Sequence, residues 1–98
     1  MKPFSNKKVA EIVNVTMDMN TILNSSATPV VTVSVESGGP DPSPQALKSG
    51  AAVVVKNKVI QKLGVGGVPG CTYRLAFQVD VPSTGERLIE YATITVEN

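Results

Sequence analysis

From Tyr73 to Val81 the chain alternates without a miss: Tyr73, Leu75, Phe77, Val79 and Val81 fall on one side, and Arg74, Ala76, Gln78 and Asp80 on the other. A period of two sustained over this length specifies a half-buried strand and excludes an amphipathic helix. Burying these apolar side chains contributes about 1.5–3 kcal/mol each, which makes this strand a principal source of stability. Gly66-Gly67-Val68-Pro69-Gly70 leads into it. Those glycines run into a strand rather than a helix, so they do not read as a phosphate loop, and their expected duty is positive-φ backbone. Pro82–Glu86 is a hairpin loop and Leu88–Val96 the returning strand. The apolar phase of that strand slips between Ile89/Tyr91 and Ala92/Ile94/Val96, which predicts a β-bulge near Tyr91.

The same period recurs upstream. Val13, Val15, Met17 and Met19 alternate with Asn14, Thr16 and Asp18, and Val31, Val33 and Val35 share a face after Pro29. Asn20–Thr28 reads as a turn with Ile22 and Leu23 as inward anchors. Gly50–Val55 and Val59–Val65 are two further strands around a Lys56-Asn57-Lys58 turn. Between Ser37 and Gln45, prolines at 40, 42 and 44 exclude helix and central strand. This proline-rich loop, residues 37–45, has almost nothing apolar to bury; it is read as a mobile, solvated connection in preference to a partner-contacting loop.

These elements predict an all-β chain, an immunoglobulin-like β-sandwich of about six to seven strands. Its 98 residues give one domain. Residues 1–8, polar and basic around Phe4, are expected to be a flexible N-terminal segment, and 9–98 a single β-sandwich domain. Tyr73, opening a late strand after a glycine turn, stands where sandwiches place a corner tyrosine; an ordinary core tyrosine fits equally.

With no histidine and one cysteine, Ser–His–Asp and Cys–His mechanisms and His-containing or multi-thiolate metal sites are excluded. No spacing among the acids nominates a glycosidase pair. The expectation is a non-enzyme with no catalytic residues, no cofactor and no metal. Cys71 is a small core filler, and the absence of a possible internal disulfide fits maturation in a reducing cytoplasm. Lys48, Lys56, Lys58, Lys62 and Arg74 form a basic middle without interleaved aromatics, better suited to a solvated face with lysines guarding strand edges than to nucleic acid. A net charge of +1 also argues against a nucleic-acid partner. No apolar run is long enough for a membrane span, and the start lacks a signal peptide's apolar core, so the chain is expected to be soluble and made in the cytoplasm.

The order of segments, EIVNVTMDM at 11–19, TILNSS at 21–26, GGVPGCTYRL at 66–75, TGER at 84–87 and TITV at 93–96, resembles the small bacteriophage fiber-tail adaptor proteins. Asp18, Thr21-Ile22, Gly66, Gly67, Gly70, Tyr73 and Gly85 match the family's pattern, with Glu86 inserted before Arg87. Met19 stands where the family has tryptophan, and the triple-proline loop is outside the pattern. The resemblance implies a phage or prophage structural module, made in the bacterial cytoplasm and carried in the virion. It would contact other tail or fibre proteins, and homo-oligomerisation is left open. The alternative is a stand-alone adhesive or ligand-binding β-sandwich.

Overall fold

The computed structural model describes residues 2–19, 27–82 and 84–98. Eight strands are placed among them: β1 (Lys2–Pro3), β2 (Lys7–Lys8), β3 (Val13–Asp18), β4 (Thr28–Ser37), β5 (Val53–Val55), β6 (Lys58–Leu63), β7 (Thr72–Val81) and β8 (Glu86–Glu97). A 3₁₀ turn, Pro44–Leu47, lies between β4 and β5. The chain is an all-β sandwich. One sheet runs β1-β8-β7-β4, with β2 also on β8; the other runs β3-β6-β5. The two strands beyond the expected six or seven are the two-residue β1 and β2, too short to leave a periodic signal.

β7 lies at the centre of the large sheet, paired antiparallel with both β4 and β8. Its inward residues Tyr73, Leu75, Phe77 and Val79 are fully buried. Val31 and Val33 of β4 and Ala92, Ile94 and Val96 of β8 extend this layer, and Val15, Met17, Val59 and Leu63 face it from the small sheet. Alternation puts one side of each strand against the other sheet, which is why a period of two in sequence becomes one shared core. Gln61 is the one inward polar residue of β6, and its Nε2 is satisfied by the carbonyls of Gly50 and Lys62 at 3.1 and 2.8 Å.

Three expectations need correction. Residues 2–8 are docked along the large sheet: β1 and β2 pair in parallel with β8, at Ala92–Thr93 and Val96–Glu97. Phe4 meets Phe77 edge-on, with ring centroids 6.1 Å apart. Lys7 is buried, and its Nζ donates to the carbonyls of Lys8, Val9 and Gly66 at 2.9–3.3 Å. A segment with one aromatic and three lysines looks solvated in sequence, yet parallel pairing needs no periodicity from a two-residue strand.

The second correction concerns the bulge. The β7–β8 register is unbroken from Thr72↔Thr95 to Val81↔Glu86, so there is none near Tyr91. Ile89 and Tyr91 are exposed on the outer side, while Leu88, Ala92, Ile94 and Val96 keep a single inward phase. Glu90 occupies an inward position but reaches solvent. The irregularity is instead in β4, between Val35 and Ser37. Third, the proline-rich loop does enter a helix, because Pro44 opens the 3₁₀ turn at a position where its missing N–H has no partner to lose. Of the Asn20–Thr28 turn, residues 20–26, including Ile22 and Leu23, lie outside the described residues. Among the described residues no helix is long and apolar enough to cross a membrane.

Candidate interaction surfaces

At the loop end of the sandwich, where β4 finishes and β7 starts, the Tyr73 hydroxyl accepts from the Val68 N–H at 2.9 Å, five residues upstream. It donates to Asp41 Oδ2 at 2.6 Å. Of the two readings open at the sequence level, the corner tyrosine is the one observed. The hydroxyl of Tyr73 holds the Asp41 carboxyl below the usual aspartate range, helped by the Ser43 amide bound to Oδ1 at 2.9 Å. Burial, then Asp41, pushes the Tyr73 hydroxyl well above the usual tyrosine value. The proline-rich loop is therefore fastened to the sheet. Gly38, with φ +79, lies so close to the Gly70 carbonyl oxygen that a Cβ there would collide with it. Val68, Gly70 and Tyr73, grouped in the sequence, are brought together with Asp41 and Gly38 from the proline loop. Sequence spacing carried no sign of that second set, in which Asp41 lies 32 residues from Tyr73 in the chain. Cys71 is fully buried.

The same loop closes the outer edge of β4. Lys48 Nζ donates to the Val31 carbonyl at 2.7 Å, and the Val33 N–H donates to Gln45 Oε1 at 3.3 Å. Both main-chain groups point away from β7, and Pro29 on the same register offers no N–H. Lysine on an edge blunts further strand pairing. The basic middle thus disperses: Lys48 to the β4 edge, Lys56, Lys58 and Lys62 to the small sheet, and Arg74 to the outer face of the large sheet.

Both sheets carry apolar side chains on their solvent faces. On the large sheet, Val30 and Ile89 flank Gln78 in one row, and Tyr91 sits beside Ala76 in the next. Val30, Ile89 and Tyr91 are each more than 40 % exposed, at 45, 43 and 43 %. The Arg74 guanidinium lies 5.1 Å from the Tyr91 ring centroid, which fixes the ring on the sheet surface. Asp80 and Arg87 close one end of this face with an ion pair at 2.7 Å, exposed to water and of small energetic weight. On the small sheet Val53, Val55 and Ile60 lie between Lys56, Lys58 and Lys62.

A groove of about 440 Å³ separates the N-terminal segment from β3, with Phe4, Val15 and Ile94 among its apolar walls and Ser5, Asn14 and Thr16 among its polar ones. No protein-family model, curated protein or solved structure matches the chain. Of the residues that carry the resemblance to fiber-tail adaptors, Gly70 and Tyr73 belong to the braced corner, Gly66 bonds Lys7 and Val9, and Gly67 lies against Val96. Asp18 Oδ1 accepts from Asn57 Nδ2 at 2.9 Å at the end of β3. Thr21 and Ile22 lie outside the described residues.

Proposed function

We propose that the protein is a non-enzymatic structural module of a phage or prophage particle, holding tail or virion components together by surface contacts. The observation that carries this reading is the outer face of the large sheet. There Val30, Ile89 and Tyr91 stay exposed on the solvent side of strands whose other side is buried in the core. An apolar, aromatic patch on a stiff scaffold is the composition of a protein–protein contact core, and many identical copies in a particle would add avidity to a modest single contact. The strand order, with three strands facing β8-β7-β4 and the N-terminal segment along β8, supports an immunoglobulin-like sandwich, as does the corner bond of Tyr73.

Particles purified from an induced prophage carrying the gene should contain the protein in fixed stoichiometry by mass spectrometry. The double variant Ile89→Lys, Tyr91→Lys should disappear from those particles while its far-UV circular dichroism stays that of a folded β protein. Absence of the wild-type chain from particles, with normal assembly and infectivity after deletion of the gene, would overturn the reading.

A further inference from the structure

On the outer face of the large sheet β7 runs down the middle, with β4 and β8 on either side. The central rows of this face are Thr32-Ala76-Tyr91 and Val30-Gln78-Ile89. Arg74 stands one row beyond Ala76, and Asp80 one row beyond Gln78, so β7 carries a cation and an anion at equal distances from the centre of the apolar patch. Both charges reach solvent: Arg74 is exposed, and the Asp80 side chain is 41 % accessible. Arg87 donates from Nε to Asp80 Oδ1 at 2.7 Å, but its contact to Oδ2 is a long 3.5 Å. A carboxylate has lone pairs enough for a second guanidinium at that oxygen.

We propose that this face packs against the same face of a second copy, about a two-fold axis that lies in the interface, runs across the strands and passes between Ala76 and Gln78. The proposal rests on the reading of this face as a contact surface and names its partner. A two-fold contact must be self-complementary, and the placing of the axis decides whether it is. Covering Val30 of β4 together with Ile89 and Tyr91 of β8 requires β7 to lie over β7 of the second copy. An axis along β7 would do so, but it sets Arg74 over Arg74 and Asp80 over Asp80, which like charges oppose. An axis across the strands, midway between Ala76 and Gln78, sets each Arg74 over Asp80 of the second copy. Moving it onto either central row leaves both charges over neutral residues.

In that arrangement Tyr91 of each copy lies over Ile89 of the other, and Val30 over Thr32, so the exposed apolar side chains close over the centre and the charges flank it. An apolar centre inside a polar rim is the usual anatomy of a protein interface. Stacked sheets cross at about 30° because each is twisted, and the middle strand, nearest the axis, keeps its pairing best. Arg74 already lies 5.1 Å from the Tyr91 ring centroid, so one guanidinium would hold the ring of its own chain and the carboxylate of the other.

A few rows on three strands make a contact smaller than a standard stable interface, so the association should depend on concentration. Sedimentation equilibrium of the wild-type chain, monomer mass 10.3 kDa, should show a rise toward twice that mass as concentration increases. Arg74→Glu sets two carboxylates together at each end of the contact, and Asp80→Arg sets two guanidiniums together, so either variant alone should stay monomeric with an unaltered far-UV spectrum. Their equimolar mixture should dimerise, because in the mixed pair position 74 of each chain meets the opposite charge at position 80 of the other. A chain carrying both substitutions should dimerise by itself, which keeps the test decisive should one single variant fail to fold. A wild-type chain that stays monomeric at every concentration overturns the proposal. So does a dimer that survives Arg74→Glu, or a mixture that associates no better than its components. A monomer still found in phage particles would overturn the dimer alone and assign the face to another protein, whereas a dimer absent from particles would support the pairing and overturn only the phage reading.

Discussion

The Tyr73 hydroxyl joins two loops at once, accepting from Val68 and donating to Asp41. Tyr73→Phe keeps the ring in the core and deletes both bonds. Leaving the Val68 N–H without its partner should cost about 1–3 kcal/mol in urea denaturation. The pair also sets a pH response. Asp41 is held below the usual aspartate range, by Tyr73 first and by the Ser43 amide next, so its contribution is present above that range and is lost as pH falls through the lowered folded value. Tyr73 is raised, by burial first, so its contribution is whole below the usual tyrosine value and is lost as pH climbs toward the raised one. The Ser43 amide resonance should therefore be constant near neutral pH and shift only at acidity beyond ordinary aspartate titration; a shift centred in the ordinary range would show that the bond is not formed. Deeper in the same strand, Phe77→Ala should cost about 3–5 kcal/mol by thermal or chemical denaturation. The face of Phe77 was legible because alternation over a whole strand leaves only two choices of side. The partner of Tyr73 was not, since Asp41 lies in a separate loop.

Among the elements, the braced corner offers a clean comparison of two glycines. Gly38 and Gly50 have nearly the same φ, +79 and +78, but a Cβ on Gly38 would strike the Gly70 carbonyl, whereas Gly50 has nothing within 4 Å. Gly50→Ala should cost only the left-handed backbone penalty, about 1–2 kcal/mol. Gly38→Ala should cost clearly more, because the proline loop must lift off the Gly66–Gly70 turn. Equal urea midpoints for the two variants would refute the close approach as a constraint. The absent bulge in β8 belongs to this scale too. Ile89 and Tyr91 looked like a core set that had lost phase, when they are an apolar pair on the outer face of a continuous strand. Hydrophobic pattern records which residues alternate together and does not record that a sheet can be apolar on both sides.

For the molecule as a whole, the N-terminal segment seals the edge of the large sheet next to the groove. Phe4 packs on Phe77, Lys7 holds three carbonyls, and the Gly66 N–H donates to Val9 at 2.8 Å. Burial lowers the Lys7 amine below the usual lysine value, with Glu11 opposing the shift, as expected for a cation satisfied by carbonyls in a partly dry site. Removing residues 2–8 should expose the β8 edge and lower the melting temperature by roughly 10 °C or more, given that about 1 kcal/mol is worth some 4–8 °C in a domain of this size. The truncated chain should also aggregate more readily, measured by light scattering, since an uncovered edge is a template for pairing. Unchanged melting would mean that the segment contributes no packing.

Local chemistry was enough to determine the strands β3, β4, β6 and β7, the inward faces of β3, β4 and β7, the glycine turn and the all-β class, because each depends on neighbours within ten residues and on a period imposed by the backbone. Only the tertiary structure decided that residues 2–8 belong to the sheet, that Lys48 and Gln45 cap the β4 edge, and that Asp41 binds Tyr73. Those outcomes depend on which main-chain and polar groups meet across long sequence separations. Hydrogen bonding between distant segments leaves no periodic trace in either of them.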